Sequence, residues 1–208
     1  MMQYGPLLEK LLSGAFICEV SEEPYFKQLN KEDVREKIND YLRPLNRRLC
    51  TNPENNVWYL AYCAVNNEVR EQLSQQLKEM IDSLIPLLKF LQLVQESSGS
   101  DRVLSSQDVL NRHLLAGSIE NNVSLREQLS ALAKTRLFQS QSEDVGGQLK
   151  LIFERLCQQG YLLQPHKDRH IYRVTGKMDY LLDVARFVQE EERIQIDEPV
   201  VSQEDLAL

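Results

Sequence analysis

DVGGQLKLIFERLCQQGYLLQPHKDRHIYRV, residues Asp144 to Val174, reads as a helix followed by a hairpin. Val145, Leu149, Ile152, Phe153, Leu156 and Cys157 fall at i, i+4, i+7, i+8, i+11 and i+12, which makes one apolar stripe on a helix. Gly160 stands where a helix end takes a residue that tolerates positive φ. A short apolar run from Tyr161 to Leu163, a polar turn from Pro165 to Arg169 and a second run from Ile171 to Val174 then predict two strands with a basic tip.

The front of the chain gives a fuller form of the same pattern. Pro6 suits the first turn of a helix, where its missing N–H costs nothing. Leu7, Leu8, Leu11 and Leu12 give that helix a core face, and Ser13-Gly14 stops it. Ala15 to Val20 is rich in strand formers. Ser21 is expected to cap a short helix through Glu22, Glu23, Tyr25, Phe26 and Leu29, with Pro24 in its first turn. Asn30 is the next expected cap, for a helix from Lys31 to Leu42 with Val34, Ile38, Tyr41 and Leu42 inward, ended by Pro44. Arg47 to Thr51 and Val57 to Tyr62 read as strands around the turn Asn52 to Asn56. Helix, strand, helix, helix, strand, turn, strand is the order of a winged helix, and Asp144 to Val174 repeats its back half.

Between the copies, Val69, Leu73, Leu77, Met80, Ile81, Leu84, Leu88, Leu91 and Val94 mark a long helix capped by Asn66 or Asn67. Pro86 predicts a kink or break near Ile85, because it removes one hydrogen bond and crowds the preceding turn. Arg102 to Leu104 is expected as the second unit's short strand. Ser105 or Ser106 should cap a helix with Val109, Leu110 and Leu114 inward, and Ser124 another from Leu125 to Lys134. Thr175 should cap a last helix with Leu181, Leu182, Ala185 and Val188 inward. The expected fold class is mainly α with small β-hairpins (α+β). The expected domains are a winged helix at 1–64, a connecting helix at 65–98, a second winged helix with an extra helix at 99–193, and a disordered acidic tail at 194–208.

With 208 residues, 42% of them hydrophobic and 26% charged, the chain can hold two small domains. A formal net charge of −7 argues against a general nucleic-acid coat. Met1 to Gly14 has no basic region followed by a long apolar run, so no secretory signal is expected. No apolar run is long enough to span a membrane. Cys18, Cys50, Cys63 and Cys157 form no close pair, so each is expected to be a buried small hydrophobe in a reducing cytosol.

No phosphate-cradling GxxxxGK[ST] and no GxSxG occurs, and the expectation is a non-enzymatic protein that needs no cofactor and no metal. His166 and His170 flank the predicted hairpin turn, with only Asp168 close by, too few ligands for a metal site. Two basic clusters stand out. Arg43, Arg47 and Arg48 lie where the first unit's third helix meets its hairpin. Lys167, Arg169, His170, Arg173 and Lys177 gather on the second hairpin and the start of the last helix. Lys167, Arg169, Arg173, Lys177, Arg47 and Arg48 are the candidate DNA contacts, through phosphates. The runs Leu84 to Val94 and Met178 to Val188 are richer in apolar residues than one core needs, which suggests a partner surface.

The opening LLSGAFICEVSEEPYFKQLNKEDVREKINDYLRPLNRRL, the later VWYLAY, the long helix and the closing LIFERLCQQGYLLQP…IYRVT are similar, in order and spacing, to the MksE/MukE family of bacterial condensin subunits. The similarity covers about Leu7 to Glu192, and the chain lacks an extended acidic tail, which places it nearer MksE. The resemblance implies a tandem winged-helix (KITE) subunit that dimerises and binds a kleisin (MksF-like). The kleisin would in turn bridge an SMC ATPase (MksB-like), in a cytoplasmic, nucleoid-associated complex acting in chromosome condensation and segregation or in plasmid restriction. ATP chemistry would then belong to the partner. The alternative is a dimeric winged-helix transcription regulator. Against it, the third helices begin KEDVREK and EDVGGQLK, and acidic residues there would repel phosphates.

Overall fold

The computed structural model describes residues 4–99 and 102–196. Its first unit opens with α1 (Gly5–Leu12), which buries Leu7, Leu8 and Leu11, and a two-residue strand β1 (Ile17–Cys18). Cys18, rather than Ser21, caps α2 (Glu19–Leu29). Its thiol accepts the Ser21 N–H at 3.3 Å, while the Ser21 hydroxyl accepts the Cys18 N–H at 3.1 Å, a reciprocal capping box. The backbone breaks from helical geometry at Glu22 (φ −149°, ψ 62°), so Pro24 falls in the first turn of the resumed helix.

The third helix, α3 (Glu32–Leu42), follows Lys31, which provides no side-chain cap. Asn30 closes α2 instead. Val34, Ile38 and Leu42 point inward, whereas Tyr41 is exposed. Pro44 sits in a 3-10 turn, Arg43–Leu45. Strands β2 (Arg47–Thr51) and β3 (Val57–Tyr62) pair antiparallel, with Arg47 opposite Tyr62 and Thr51 opposite Trp58. The sheet order is β1-β3-β2.

The connecting helix α4 (Asn67–Ser98) is capped by Asn66, whose side-chain oxygen accepts the Val69 N–H. Of the kink or break expected near Ile85, the break does not occur, and the helix continues through Pro86. Leu84, Leu87, Phe90 and Leu91 on both sides of the proline enter the second unit's core. That packing outweighs one missing hydrogen bond, since most helical stability in proteins comes from the packed face. Leu77 and Ile81, expected inward, are each 49% exposed.

After α4 the structure departs from the sequence expectation. The second unit's first strand is β4 (Val109–Asn111), not Arg102 to Leu104. Ser105 and Ser106 cap no helix. They belong to a turn in which the Asp108 carboxylate accepts the Ser105 N–H. Asn111 caps α5 (Arg112–Glu120), which leaves Val109 and Leu114 outward and only Leu110 buried. Asn122, not Ser124, caps α6 (Val123–Ala133). These are errors among Ser, Asn and Asp, all of which can bond their own backbone in turns or at caps.

Helix α7 (Val145–Gln158) begins as expected, with Asp144 accepting the Gly147 N–H at 2.7 Å, and buries Leu149, Ile152, Phe153 and Leu156. Gly160 takes φ 78°, and β5 (Leu162–Leu163) pairs antiparallel with β6 (Ile171–Val174). The order β4-β6-β5 repeats that of the first sheet. Phe153 lies against Phe90 (ring centroids 5.9 Å) and Tyr172 (4.6 Å), joining α4, α7 and β6. The last helix, α8 (Gly176–Ile196), runs past the expected start of the acidic tail at 194, and residues 197–208 lie outside the described residues.

The start of α8 is fitted into the first unit. Thr175 does not cap it through its side chain, since its hydroxyl donates to the Gly160 carbonyl at 2.6 Å. The Gly176 N–H donates to the Cys18 thiol at 3.2 Å. A Cβ at Gly176 would come within 2.8 Å of the Val57 side chain and 2.9 Å of that of Cys18. Phe16, Tyr59 and Tyr180 form a ring cluster there, with centroids 4.8 to 5.7 Å apart. The buried Asp179 carboxylate accepts from the Asn56 amide at 2.7 Å and from the Ser106 N–H at 2.9 Å.

We expect Gly176→Ala to lower the stability of the whole chain by about 1–3 kcal/mol through overpacking. Gly117→Ala, in open space on α5, should be neutral or raise stability by about 0.5–1 kcal/mol. Urea unfolding of both variants checks this. Equal midpoints would show that the contact at Gly176 is loose.

Candidate nucleic-acid and partner interface

The six basic residues singled out in the sequence occupy three separate places. Lys167 and Arg169 are exposed at the β5–β6 tip. That turn is closed by the Arg169 N–H on the His166 carbonyl at 3.1 Å and by the Gln164 amide on the Arg169 carbonyl at 2.8 Å. Arg48 is exposed on β2, and Arg47 lays its guanidinium 3.4 Å from the centre of the Tyr62 ring, a cation–π contact.

Lys177 faces inward, toward the contact between the units, whereas Arg173 shares the strand face of the exposed Ile171, opposite to that of the buried Tyr172 and Val174. Arg173 is half-buried on β6, opposite Val109 and Leu163. Its charge reaches Glu23 on α2, whose carboxyl is held below its ordinary range mainly by the bonded Lys27 and more weakly by Arg173. Lys177 donates to the Gln159 carbonyl at 2.7 Å and lies over the rings of Tyr161 (4.8 Å) and Phe16 (5.3 Å). Burial pushes its ammonium pKa down.

The structure adds two residues to the hairpin. The pairing of Asn111 with Ile171 brings Arg112 and His113, at the start of α5, against His170. The rings of His113 and His170 meet edge to face at 4.1 Å, and Arg112 Nη2 lies 2.8 Å from His170 Nδ1. An arginine can only donate, so Nδ1 accepts and His170 is the neutral, Nε2-protonated ring. Desolvation, His113 and Arg112, in that order, hold its pKa below the ordinary value. The sequence pattern hid this pair because it placed residues 109–114 inside a helix capped by Ser105 or Ser106. Asn111, a good cap directly before Arg112, was the available signal. His170 thus meets His113 rather than His166. No group of three or more His, Cys, Asp or Glu suited to a metal occurs among the described residues.

Part of the apolar surplus goes into the core, where Leu87, Phe90, Met178 and Leu181 are buried. The remainder lines a groove of about 460 Å³ between α4 and α8, formed by Leu84, Leu88, Val103, Leu182, Ala185 and Val188. Among the cysteines, Cys18 is buried, Cys50 and Cys157 are half-buried, and Cys63 is exposed, against expectation. Among the described residues, no helix is long and apolar enough to cross a membrane.

Residues 3–186 match the family model described as condensin complex protein MksE. The chain belongs to the MksE family. The match runs from ahead of α1 into α8, so both units and the contact at Gly176 lie within the extent of an MksE protein. A search of curated proteins finds no match to the chain. Membership makes this MksE chain a subunit of a condensin complex.

The neutral His170 gives a pH expectation. The fold favours the uncharged ring, so its contribution to stability is complete above the unfolded pKa of about 6.5 and is lost as pH falls toward the lower folded value. In an NMR titration His170 should titrate below an unperturbed histidine, and Arg112→Ala should move it up. Titration at or above the ordinary value would contradict the Arg112 contact.

Proposed function

We propose that this chain is the non-enzymatic accessory subunit that binds the kleisin of an SMC condensin complex. In this reading it works as a homodimer, and the kleisin (MksF-like) links it to the SMC ATPase (MksB-like). The complex acts at the nucleoid, on chromosome or plasmid DNA. The observation that carries the reading is the family match over residues 3–186. The repeated strand orders β1-β3-β2 and β4-β6-β5 support reading the chain as two tandem winged helices, with boundaries near residues 64 and 98 on either side of α4.

In this role the chain touches DNA through phosphates. The contacts assigned in this reading are Lys167 and Arg169, exposed at the tip, and Arg48, exposed on the first hairpin. Lys177 and Arg47 are engaged within the chain and contribute less, and the half-buried Arg173 contributes less than the exposed tip. The exposed face of α3 carries Glu32, Asp33, Glu36 and Asp40, which suits a protein that does not read bases with that helix.

The test is purification of the tagged chain from its native cells at moderate salt. A kleisin and a large coiled-coil ATPase should appear in stoichiometric amounts. A chain recovered alone that prefers one duplex sequence to bulk DNA would make it a transcription regulator. In the purified complex, Lys167→Glu with Arg169→Glu should weaken binding equally across sequences. The slope of log K against log salt should shrink by about 1 for each phosphate that is no longer neutralised. An unchanged slope would remove the hairpin tip from the DNA surface.

A further inference from the structure

The N-terminal half of α4 carries an apolar stripe that the rest of the chain leaves uncovered. Leu77 (49%), Ile81 (49%) and Ile85 (60%) are exposed, and the stripe continues into Leu88 (36%) at the α4–α8 groove. These residues fall at i, i+4, i+8 and i+11, so they share one side of the helix. Leu84, Leu87, Phe90 and Leu91, on the adjoining side, are buried in the second unit's core. The stripe is therefore additional to the core.

One flank of the stripe is charged. Glu71, Lys78, Asp82 and Lys89 are all exposed and are spaced seven, four and seven residues apart. The spacing reads the same in both directions, while the signs, minus-plus-minus-plus, invert on reversal. When two helices run antiparallel, the same flank of each faces the other. A second copy turned about a two-fold axis at Met80 therefore sets its Lys89 level with Glu71, and its Asp82 level with Lys78. In a parallel pair this flank would face the partner's other flank, so these four charges would not meet their counterparts. Asp82 also has a long, exposed contact with Arg136 (3.8 Å), which leaves room for a second partner. In the same arrangement the second copy's Leu73 comes level with Leu87 and Leu88, at the mouth of the groove.

We propose that the exposed α4 stripe is the surface on which a second copy of this chain docks, its α4 antiparallel to the first and in register about Met80. Desolvation of Leu77, Ile81, Ile85 and Leu88 supplies the affinity, and the flanking charges select orientation and register. This rests on the proposed dimer alone. It adds where the dimer forms, and the interface is isologous, as a closed pair requires.

The experiment uses sedimentation of the full chain over a range of concentrations. One variant makes the flank wholly acidic (Lys78→Glu, Lys89→Glu) and another wholly basic (Glu71→Lys, Asp82→Lys). Wild type should sediment as a dimer, each variant alone as a monomer, and the equimolar mixture again as a dimer. Circular dichroism shows whether each variant is folded, and rescue in the mixture cannot come from a misfolded chain. Ile81→Glu should give a folded monomer. A monomeric wild type, or variants that stay dimeric alone, would overturn the proposal. Dimeric variants that no longer recover the kleisin from cells would also overturn it and give the stripe to the kleisin. Recovery of the kleisin and ATPase by the wild-type chain is read separately and reports on the condensin role.

Discussion

Much of this molecule depends on the absence of a side chain at Gly176. Its N–H bonds the Cys18 thiol, and its Cα lies where any Cβ would meet Val57 and Cys18. Cys18 is in turn the cap of α2 and the end of β1, while Val57 begins β3. One glycine therefore joins the first unit's sheet, the first unit's second helix and the last helix of the chain. The Asp179 carboxylate, shared by Asn56 and Ser106, ties the same helix to the first unit's β2–β3 turn and to the loop before β4. Buried polar groups of this kind cost stability unless partnered, so they favour one geometry over neighbouring ones.

This junction also sorts the basic residues. Lys177 lies one position after Gly176, and its ammonium is taken up by the Gln159 carbonyl and two aromatic rings. Arg173 feels Glu23 of the first unit. Lys167 and Arg169, at the far end of the hairpin, stay exposed. A cluster that looks continuous along the chain is thus divided between an internal contact and an outer surface. The net charge of −7 sets this small basic tip on an acidic chain.

The sequence was most legible where a periodic apolar stripe met one clear stop. The stripe of α7 with Gly160, and the strands Arg47–Thr51 and Val57–Tyr62, were found with their limits. It was least legible between Arg102 and Lys134, where Ser105, Ser106, Asp108, Asn111, Asn122 and Ser124 all offer side chains that can cap. Only the pairing of β4 with β6, 60 residues away in the chain, selects Asn111. At Pro86 the local rule allowed a break that does not occur, because packing on both sides of it keeps the helix continuous. Of the candidate surface, the exposed tip could be read from the turn. The pair Arg112 and His113 was signalled only by Asn111 as a possible cap, and its place against His170 depends on that same distant strand. The Cys18 cap was hidden because a thiol is a weak acceptor that sequence rules for helix starts do not include.

The contact at Gly176 predicts that the two units move as one body, with α3 and α7 at a fixed separation. The most direct test is a pulsed electron-spin distance measurement between non-cysteine spin labels at Glu36 on α3 and Lys150 on α7, both exposed. One narrow distance distribution is expected in the wild-type chain, and a broad one when Gly176→Leu forces the junction apart. A broad distribution in the wild type would contradict the single body, and the units would then be independent domains on a common helix.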